Sequence, residues 1–509
     1  MSSHLTADDA RFPRPQLGDL IAGISVAVVL IPQSLAYARL AGMPLQHGLY
    51  AALLPTIAAA FFVSSPYLQT GPGAMTSLLT FGALSVLAVP GTASYVQLAA
   101  VLAIVVGVVR VAFGWMRWGW VAYLMSQPVL TGFASGAAIL IIASQVPTAV
   151  GVDGFEGGIL RRAVVVALHP GVWEPAALGL SLVTLLLVLA GRRLHPVFPG
   201  VLVAVVVGLL FSWLTGYTGP TVGAIPSGLP PIHLALPWSA VPALVLPGLV
   251  IALVGFAEPA AIARTYALLD RKPWSPDREF VSQGVANLAA GLTAGFPVGG
   301  SFARTSVNRL SGGRTRWSGA VTGLVVLAFL PMTRSLGPLP QAVLGAVVIA
   351  AVVKLIAFRD MLDLARFSLP QAGIAWATFF LTLVLAPRID QAVIMGIGLA
   401  GVVHIWRELQ VHVQVVYADR ALTLELEGVL FFGSAPALEE ALVAALADHP
   451  EATRLILRLD RLGRIDYTGA VALRNVADEG KRAGLEVELR NIPARSERVV
   501  RSVMGWETR

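Results

Sequence analysis

The sequence contains no cysteine in its 509 residues, which excludes disulfide bonds, thiolate metal sites and a cysteine nucleophile. Charged residues are also scarce. They make up 13% of the chain, about half of the fraction found in a typical globular domain. Hydrophobic residues make up 56%. This composition excludes an ordinary soluble fold, because so much apolar surface needs lipid as its solvent.

Acidic residues are sparse before position 409, where 408 residues contain 14 of the 29 carboxylates; the rest of the chain contains the other 15. Apolar segments long enough to cross a bilayer, about 20 residues each, recur almost without pause in the first part and are absent from the second. The sequence therefore predicts a cytoplasmic N-terminal segment (1–16), a transmembrane domain (17–408) and a soluble cytoplasmic domain (409–509).

The transmembrane domain is predicted to be a polytopic α-helical domain of fourteen spans, with a short third and tenth span. The spans begin near residues 17, 44, 73, 95, 121, 175, 197, 242, 280, 302, 316, 340, 370 and 389.

Basic residues are distributed unevenly over the predicted loops. The loops on one side hold 17 Lys and Arg residues, Arg110 among them, and those on the other side hold 5: Arg39, Arg161, Arg162, Arg334 and Arg388. Because basic residues concentrate in cytoplasmic loops, we expect a multi-pass protein of the cell inner membrane with both termini in the cytoplasm. The basic residues form no patch with aromatics, so we expect no nucleic-acid partner.

The pattern G-x-x-A-x-T-S occurs twice, at residues 71–77 and 300–306, with an offset of 229 residues. The copies open spans three and ten, so seven spans lie between these equivalent points. Because seven is an odd number, the second copy is inverted relative to the first. Such 7+7 inverted repeats are the plan of many transporters. The alternative is chance, because small residues are common in membrane helices.

Glycine and proline interrupt helix formation where each copy begins, at Gly71 with Pro72 and at Pro297 with Gly299 and Gly300. Spans three and ten are therefore predicted to be half-helices that start inside the membrane. A helix N-terminus presents unpaired N–H groups and partial positive charge, and two such ends would hold an anion. The candidate substrate-binding residues at these starts are Gly73, Ala74, Met75, Thr76, Phe302, Ala303, Arg304 and Thr305.

Polar residues inside the apolar segments are the other candidates. Glu258 is placed well inside a segment, where a charge is usually paired, faces a cavity or handles protons. It is therefore the candidate proton-coupling residue, and the alternative is a structural carboxylate balanced by Arg304. Arg304 would either add positive charge to the anion site or only balance Glu258. Gln33 and Tyr37 on the first span suit hydrogen bonding to an oxyanion, although Tyr37 could equally serve helix packing.

Strand-like alternation begins at residues 411–417 and 422–426. Then come an amphipathic segment (435–447), an apolar strand (454–459), a loop containing Asp466, a helix (470–482) and a short strand (485–489). The order predicts an α/β domain. It contains neither a phosphate-binding Gly-rich loop nor a nucleophile with its base, so we expect no enzyme activity, no cofactor and no metal.

Several motifs, taken together, carry a family likeness. The chain resembles the sulfate permease (SulP) family of anion transporters, and residues 409–509 resemble the STAS domain shared with anti-sigma-factor antagonists. The motifs are Pro32-Gln33-Ser34-Leu35-Ala36-Tyr37-Ala38, Gly48-Leu49-Tyr50 with Pro55, Gly71-Pro72, Gly255-Phe256-Ala257-Glu258, Gly300-Ser301-Phe302-Ala303-Arg304-Thr305 and Ser311-Gly312-Gly313-Arg314-Thr315.

The resemblance implies two inverted seven-span repeats divided into a core and a gate domain, usually in a homodimer. It also implies short strands before the half-helices at spans three and ten, an anion bound between them, and alternating access. Bacterial relatives move sulfate, bicarbonate or dicarboxylates in symport with protons or sodium.

Three departures from the family pattern refine this expectation. Gly73 and Ala303 are smaller than their counterparts in several relatives, which favours a roomier site and a dicarboxylate such as succinate or fumarate. Sodium-coupled relatives tend to carry Asp where this chain has Glu258, which favours protons. Asp466 is followed by Tyr467 rather than a phosphorylatable Ser, which disfavours phosphorylation control.

The sequence therefore predicts a proton-coupled symporter of a small anion. An anion exchanger, an uncoupled anion channel, sodium-coupled bicarbonate uptake and a membrane sensor remain the alternatives.

Overall fold

The computed structural model describes residues 13–123, 125–152, 157–194, 198–232, 235–408, 411–431 and 434–505. The chain divides into two compact units, Met1–Ile397 and Gly398–Arg509. This division lies within the last helix of the first part, α16 (Ile389–Glu408), and so comes earlier than the boundary predicted after residue 408.

Among the described residues before position 409, the named elements are helices and two strands of two residues, β1 (Thr70–Gly71) and β2 (Gly299–Gly300). Its α-helices, among the residues that the structure describes, are α1 (Leu17–Leu40), α2 (Gln46–Phe62), α3 (Ala74–Leu84), α4 (Ala93–Trp115), α5 (Gln127–Ala149), α6 (Ile159–Leu168), α7 (Pro175–Leu194), α8 (Gly200–Thr215), α9 (Val241–Asp270), α10 (Pro276–Leu292), α11 (Phe302–Leu310), α12 (Trp317–Phe329), α13 (Gln341–Val352), α14 (Phe358–Phe367), α15 (Leu369–Val384) and α16.

A helix begins close to each of the fourteen predicted starts. The largest difference is at the fifth span, which begins at Gln127 rather than near residue 121. A 3₁₀ turn occupies Gly119–Tyr123, and Pro128 lies in the first turn of α5, where its missing N–H costs nothing.

Seven helical segments are long and apolar enough to cross a membrane, counted among the described residues, and they include α1, α4, α5 and the segment that contains α9. Several others, such as α3 and α8, are apolar but shorter. The membrane character of this part follows from these segments, whereas the total of fourteen crossings stays a prediction.

Two described helices of this part were not predicted, α6 and α14. Both are short and amphipathic, and each follows the helix of a predicted span, α5 and α13. With them, the order of elements is the same in residues 17–215 and 241–408: two helices, a strand and six helices. This matching order agrees with an internal repeat, and the inversion of one copy stays a prediction.

The helices pack in two groups, each of which combines both halves of the sequence. In the first group, α2 and α4 pack against α10, and α1 and α2 pack against α12. In the second group, α5 packs against α13 and α15, and α7 packs against α13. Neither half is therefore a separate bundle.

Asp19 connects the start of α1 to the motif at residues 311–315. Its Oδ1 accepts the backbone N–H groups of Arg314 and Thr315, both at 2.8 Å, and its Oδ2 accepts the Thr315 hydroxyl at 2.6 Å. The carboxylate is buried, with 1% of the residue exposed. These charge-assisted hydrogen bonds give the motif a structural role, because they fix the loop before α12.

The second unit contains a four-stranded sheet in the order β3-β4-β5-β6, built from β3 (His412–Ala418), β4 (Ala421–Leu430), β5 (Arg454–Ile465) and β6 (Glu486–Arg490). β3 and β4 are antiparallel, and the other two pairs are parallel. Its helices are α17 (Ala435–Asp448), α18 (Tyr467–Arg482) and α19 (Glu497–Met504). The sheet buries Leu422, Leu424, Leu426, Leu455 and Leu457 in its core.

The predicted α/β domain is confirmed, and its details change in two places. The segment Tyr467 to Gly469, which was expected to be a loop, is the first turn of α18, because Asp466 is its N-cap and accepts the Gly469 N–H at 2.8 Å. Helix α19 was not predicted.

Candidate functional site

Two interrupted segments meet at the strand pair formed by β1 and β2. Thr70 pairs with Gly300 and Gly71 with Gly299, in antiparallel register. Helix α3 begins three residues after β1, and α11 begins two residues after β2. Because the strands are antiparallel, the chain leaves the pair at opposite ends, and each short helix starts in the protein interior.

Buried polar side chains satisfy the non-helical backbone around these strands. Thr56 Oγ1 donates to the Thr70 carbonyl at 2.9 Å, and Gln283 Nε2 donates to the Thr70 hydroxyl at 2.8 Å. The Asn287 amide donates to the Val298 carbonyl at 3.0 Å and accepts its N–H at 2.9 Å. Such partners are needed because no water is available in the hydrocarbon region of a bilayer.

These supporting residues were missed by the sequence analysis. A signal was available: Gln283 and Asn287 are four residues apart and so lie on one face of α10. Two amides on one face of a predicted membrane helix indicate a polar partner at that depth.

A cavity of about 750 Å³ adjoins the starts of α3 and α11. Most of the predicted site residues line it: Gln33, Tyr37, Gly73, Ala74, Met75, Thr76, Glu258, Phe302 and Ala303. Residues of the second packing group, such as Thr131 and Ala350, line the opposite wall. The structure therefore brings the predicted residues from four separate parts of the sequence to one site between the two helix groups.

Arg304 and Thr305 do not reach the cavity surface. Arg304 is fully buried, and its Nη1 donates to the Pro72 carbonyl at 2.8 Å. Its Nε and Nη2 have no hydrogen-bond partner among the described residues. Thr305 Oγ1 accepts the Gln69 N–H at 3.1 Å. Both side chains lie behind the cavity wall, where they join α11 to the segment before α3.

Glu258 faces the cavity, and its side chain is exposed there. Its Oε1 accepts the backbone N–H of Phe302, the first residue of α11, at 2.9 Å. Among the described residues it forms no ion pair with Arg304, which donates to the Pro72 carbonyl instead. No direct contact therefore supports the alternative of a structural carboxylate balanced by Arg304, and the role of Glu258 in proton coupling stays a prediction.

The two helix starts differ in how their N–H groups are occupied. At α11 the first N–H is already bonded to the Glu258 carboxylate. At α3 the preceding residue is Gly73, and no side chain caps the helix. Close by, Gln33 carries a buried Oε1 with no hydrogen-bond partner among the described residues. The backbone N–H groups at the start of α3 are thus more available to an anion than those at the start of α11.

Arg110 is a further buried cation next to the site, and its predicted place in a loop is wrong. It lies inside α4, is fully buried, and donates to the carbonyls of Ile251, Ala252 and Val298 at 2.9 to 3.1 Å. Long basic side chains close to a helix end commonly extend towards the membrane surface. Here the three carbonyls hold it in the interior instead.

Gly255 separates Arg110 from the cavity. A Cβ atom at this position would lie 2.7 Å from Arg110 Nη2 and 3.0 Å from Thr76 Cγ2. There is no room for a side chain between the buried guanidinium and the start of α3. The glycine in the motif at residues 255–258 is therefore explained by packing.

We expect Gly255→Ala to destabilise the protein by about 1–3 kcal/mol, the range for overpacking a filled interior. The methyl group would force Arg110 away from its three carbonyl partners. The measurement is the melting temperature of purified protein in detergent. Gly373→Ala in α15 is the control, because a Cβ there meets nothing within 4 Å; equal melting of the two variants would contradict the packing argument.

Two protein-family models match this chain. The model of the sulfate permease family matches residues 17–378, and the model of the STAS domain matches residues 412–503. The chain belongs to the sulfate permease family. The match covers most of the chain, so the family resemblance is confirmed, as is the C-terminal STAS domain.

Curated relatives carry transporter names. A probable sulfate transporter of Mycobacterium tuberculosis is 35% identical over 368 residues, which are 71% of this chain and 65% of the relative. Sulfate transporter 4.1 of Arabidopsis thaliana, a chloroplastic protein, is 27% identical over 520 residues, with 93% of this chain and 75% of the relative covered. The chain thus spans a little less than two thirds of the mycobacterial relative.

Solved structures share the fold. The murine anion transporter Slc26a9 in its inward-facing state matches with a TM-score of 0.86 and 20% identity, covering 97% of this chain and 89% of that one. The transmembrane domain of the cyanobacterial bicarbonate transporter BicA matches with a TM-score of 0.66 and 26% identity, covering 73% of this chain and 97% of that one. The relatives named above are described as transporters of sulfate, of bicarbonate or of anions.

Proposed function

We propose that the protein is a secondary active transporter that carries a small anion in symport with protons by alternating access. One observation carries the proposal: a cavity between two helix groups meets the uncapped start of α3 and a carboxylate, Glu258, at the start of α11. Helix N-terminal N–H groups favour an anion. The carboxylate is a group that can exchange a proton with the cavity.

The proposed architecture is fourteen spans in two inverted repeats of seven. The group of α1–α4 with α9–α12 would be the core domain, and the group of α5–α8 with α13–α16 the gate domain. The antiparallel pairing of β1 with β2 and the identical order of elements in the two halves support this. Transport would move the core relative to the gate around the anion.

The proposed substrates are sulfate, bicarbonate or a dicarboxylate such as succinate or fumarate. Relatives named for sulfate and for bicarbonate support the first two. The small residues Gly73 and Ala303 line the cavity and support a larger carboxylate. The coupling ion is proposed to be the proton, because the cavity carboxylate is Glu258 rather than Asp.

We also propose that the protein lies in the cell inner membrane with both termini in the cytoplasm, and that it forms a homodimer. The cavity extends to Lys354 and Asp360, which the Lys/Arg distribution assigns to the cytoplasmic side. In this orientation the structure would be the state that is open to the cytoplasm.

Purified protein in liposomes should take up radiolabelled sulfate or succinate when the outside is made acidic, and the lumen should acidify with the uptake. A pH-sensitive dye inside the liposomes and the labelled anion measure the two fluxes together. Anion uptake that ignores the proton gradient would contradict coupling. Uptake that depends strictly on an internal anion would indicate an exchanger, and single-channel currents would indicate a channel.

A further inference from the structure

A second, smaller cavity of about 200 Å³ lies along the same helices as the large one. On α1, Tyr37 lines the large cavity, and Leu40, three residues later on the same face, lines the small one. On α3, Ala74 lines the large cavity, and Leu78, four residues later on the same face, lines the small one. The two cavities therefore follow one another along one route through the helices.

A layer of buried side chains separates the two cavities. On α5, positions 134, 137, 138, 141 and 145 lie on one face of the helix. Ala134 lines the large cavity and Gln145 lines the small one. Between them, Ala137, Ala138 and Ile141 are fully buried. The route is closed at this layer, and the small cavity is the part beyond the closure.

The lining of the small cavity is suited to an anion. It contains two arginines, Arg39 on α1 and Arg162 on α6, together with the polar groups of Ser144, Gln145 and Thr148. No Asp or Glu occurs among the described residues that line it. Two positive charges in the described part of this wall would repel cations and attract anions.

Arg162 has an unsatisfied donor in this wall. Its Nε is buried and has no hydrogen-bond partner among the described residues. A buried donor without a partner is unfavourable, and an oxyanion oxygen would satisfy it with a charge-assisted hydrogen bond. The adjacent residue, Arg161, is exposed and does not line the cavity.

We propose that the small cavity is a second oxyanion-binding site, at which Arg162 and Arg39 receive the anion on the side of the closure opposite the large cavity. The inference rests on the proposed transport function. Arg39 also bonds Gln341 at the start of α13, so it belongs to the closed side of the route. By the predicted orientation the site faces the outside, where an anion entering the cell arrives first.

The test compares Arg162→Gln with Arg162→Lys and with Arg161→Gln. Uptake of radiolabelled sulfate and of succinate is measured separately in whole cells, which present the outer face, and in inside-out vesicles, which present the other face. Arg162→Gln should raise the KM for uptake into cells about tenfold, as for loss of one hydrogen bond to a charged group, with a nearly unchanged maximal rate. Arg162→Lys should recover part of the affinity, and Arg161→Gln should match the wild type.

In inside-out vesicles all three variants should show the wild-type KM. A purely structural role for Arg162 would instead lower the maximal rate and the yield of folded protein from both faces at unchanged KM, and that result would overturn the proposal. An equal KM for Arg162→Gln and Arg161→Gln in cells would overturn it as well. Wild-type protein that moves neither anion from either face would overturn the proposed function and the site with it.

Discussion

Glu258→Gln should abolish proton-driven accumulation of the anion and leave anion exchange intact. The amide oxygen of Gln can still accept the Phe302 N–H, so the start of α11 keeps its geometry. The amide cannot take up a proton in this pH range. One pH unit across the membrane corresponds to about 1.4 kcal/mol per proton, which supports about tenfold accumulation in a one-to-one symport. That accumulation should fall to the level seen without a gradient.

Proteoliposomes allow the two activities to be measured on the same preparation. Uptake driven by a pH gradient reports coupling, and exchange of internal for external labelled anion at equal pH reports binding and the conformational change. Asp360→Asn is the matched control, because Asp360 is a second carboxylate at the same cavity and should leave coupling unchanged. Loss of exchange in Glu258→Gln would assign Glu258 to the anion site or to structure. Retained coupling would show that the proton is carried elsewhere.

The sequence predicted the interrupted segments because glycine and proline act locally. Gly71-Pro72 and Pro297-Val298-Gly299 disfavour helix whatever surrounds them, so the starts of α3 and α11 could be placed within a residue. The apolar segments are equally local signals. The helix starts and the membrane character therefore followed from short stretches of sequence.

The direction of each side chain could not be predicted, because it depends on tertiary packing. Arg304 and Thr305 are part of the same motif as Phe302 and Ala303, but α11 turns them to the strand side, away from the cavity. Arg110 was counted with the predicted loops, and no local signal shows its three carbonyl partners, which come from the distant residues 251, 252 and 298. Helices α6 and α14 were not predicted, because each is short and amphipathic and contains no long apolar run.

Arg304→Met should reduce the affinity for the anion about a hundredfold. The guanidinium is fully buried, and it is held against Pro72, one residue before the N-cap of α3. If the bound anion lies about 6 Å from this charge, their attraction at an effective dielectric constant of about 20 is about 2.8 kcal/mol, or roughly a hundredfold in affinity. Met fills a similar volume without the charge. Arg304→Lys should lose less affinity, because it keeps the charge but not the planar donor geometry.

Arg309→Met on the same helix is the control for this prediction. Arg309 is paired with Asp270 at 2.7 Å and packs over the rings of Tyr67 and Tyr266, away from the cavity lining. Affinity is measured from the rise in melting temperature with added sulfate or succinate, and folding from size-exclusion chromatography of the same samples. Arg304→Met that stays monodisperse and binds the anion as tightly as Arg309→Met would show that the backbone N–H groups of α3 hold the anion without help from the buried charge. A hundredfold loss confined to Arg304→Met would make that charge part of the site, although its side chain never reaches the cavity surface.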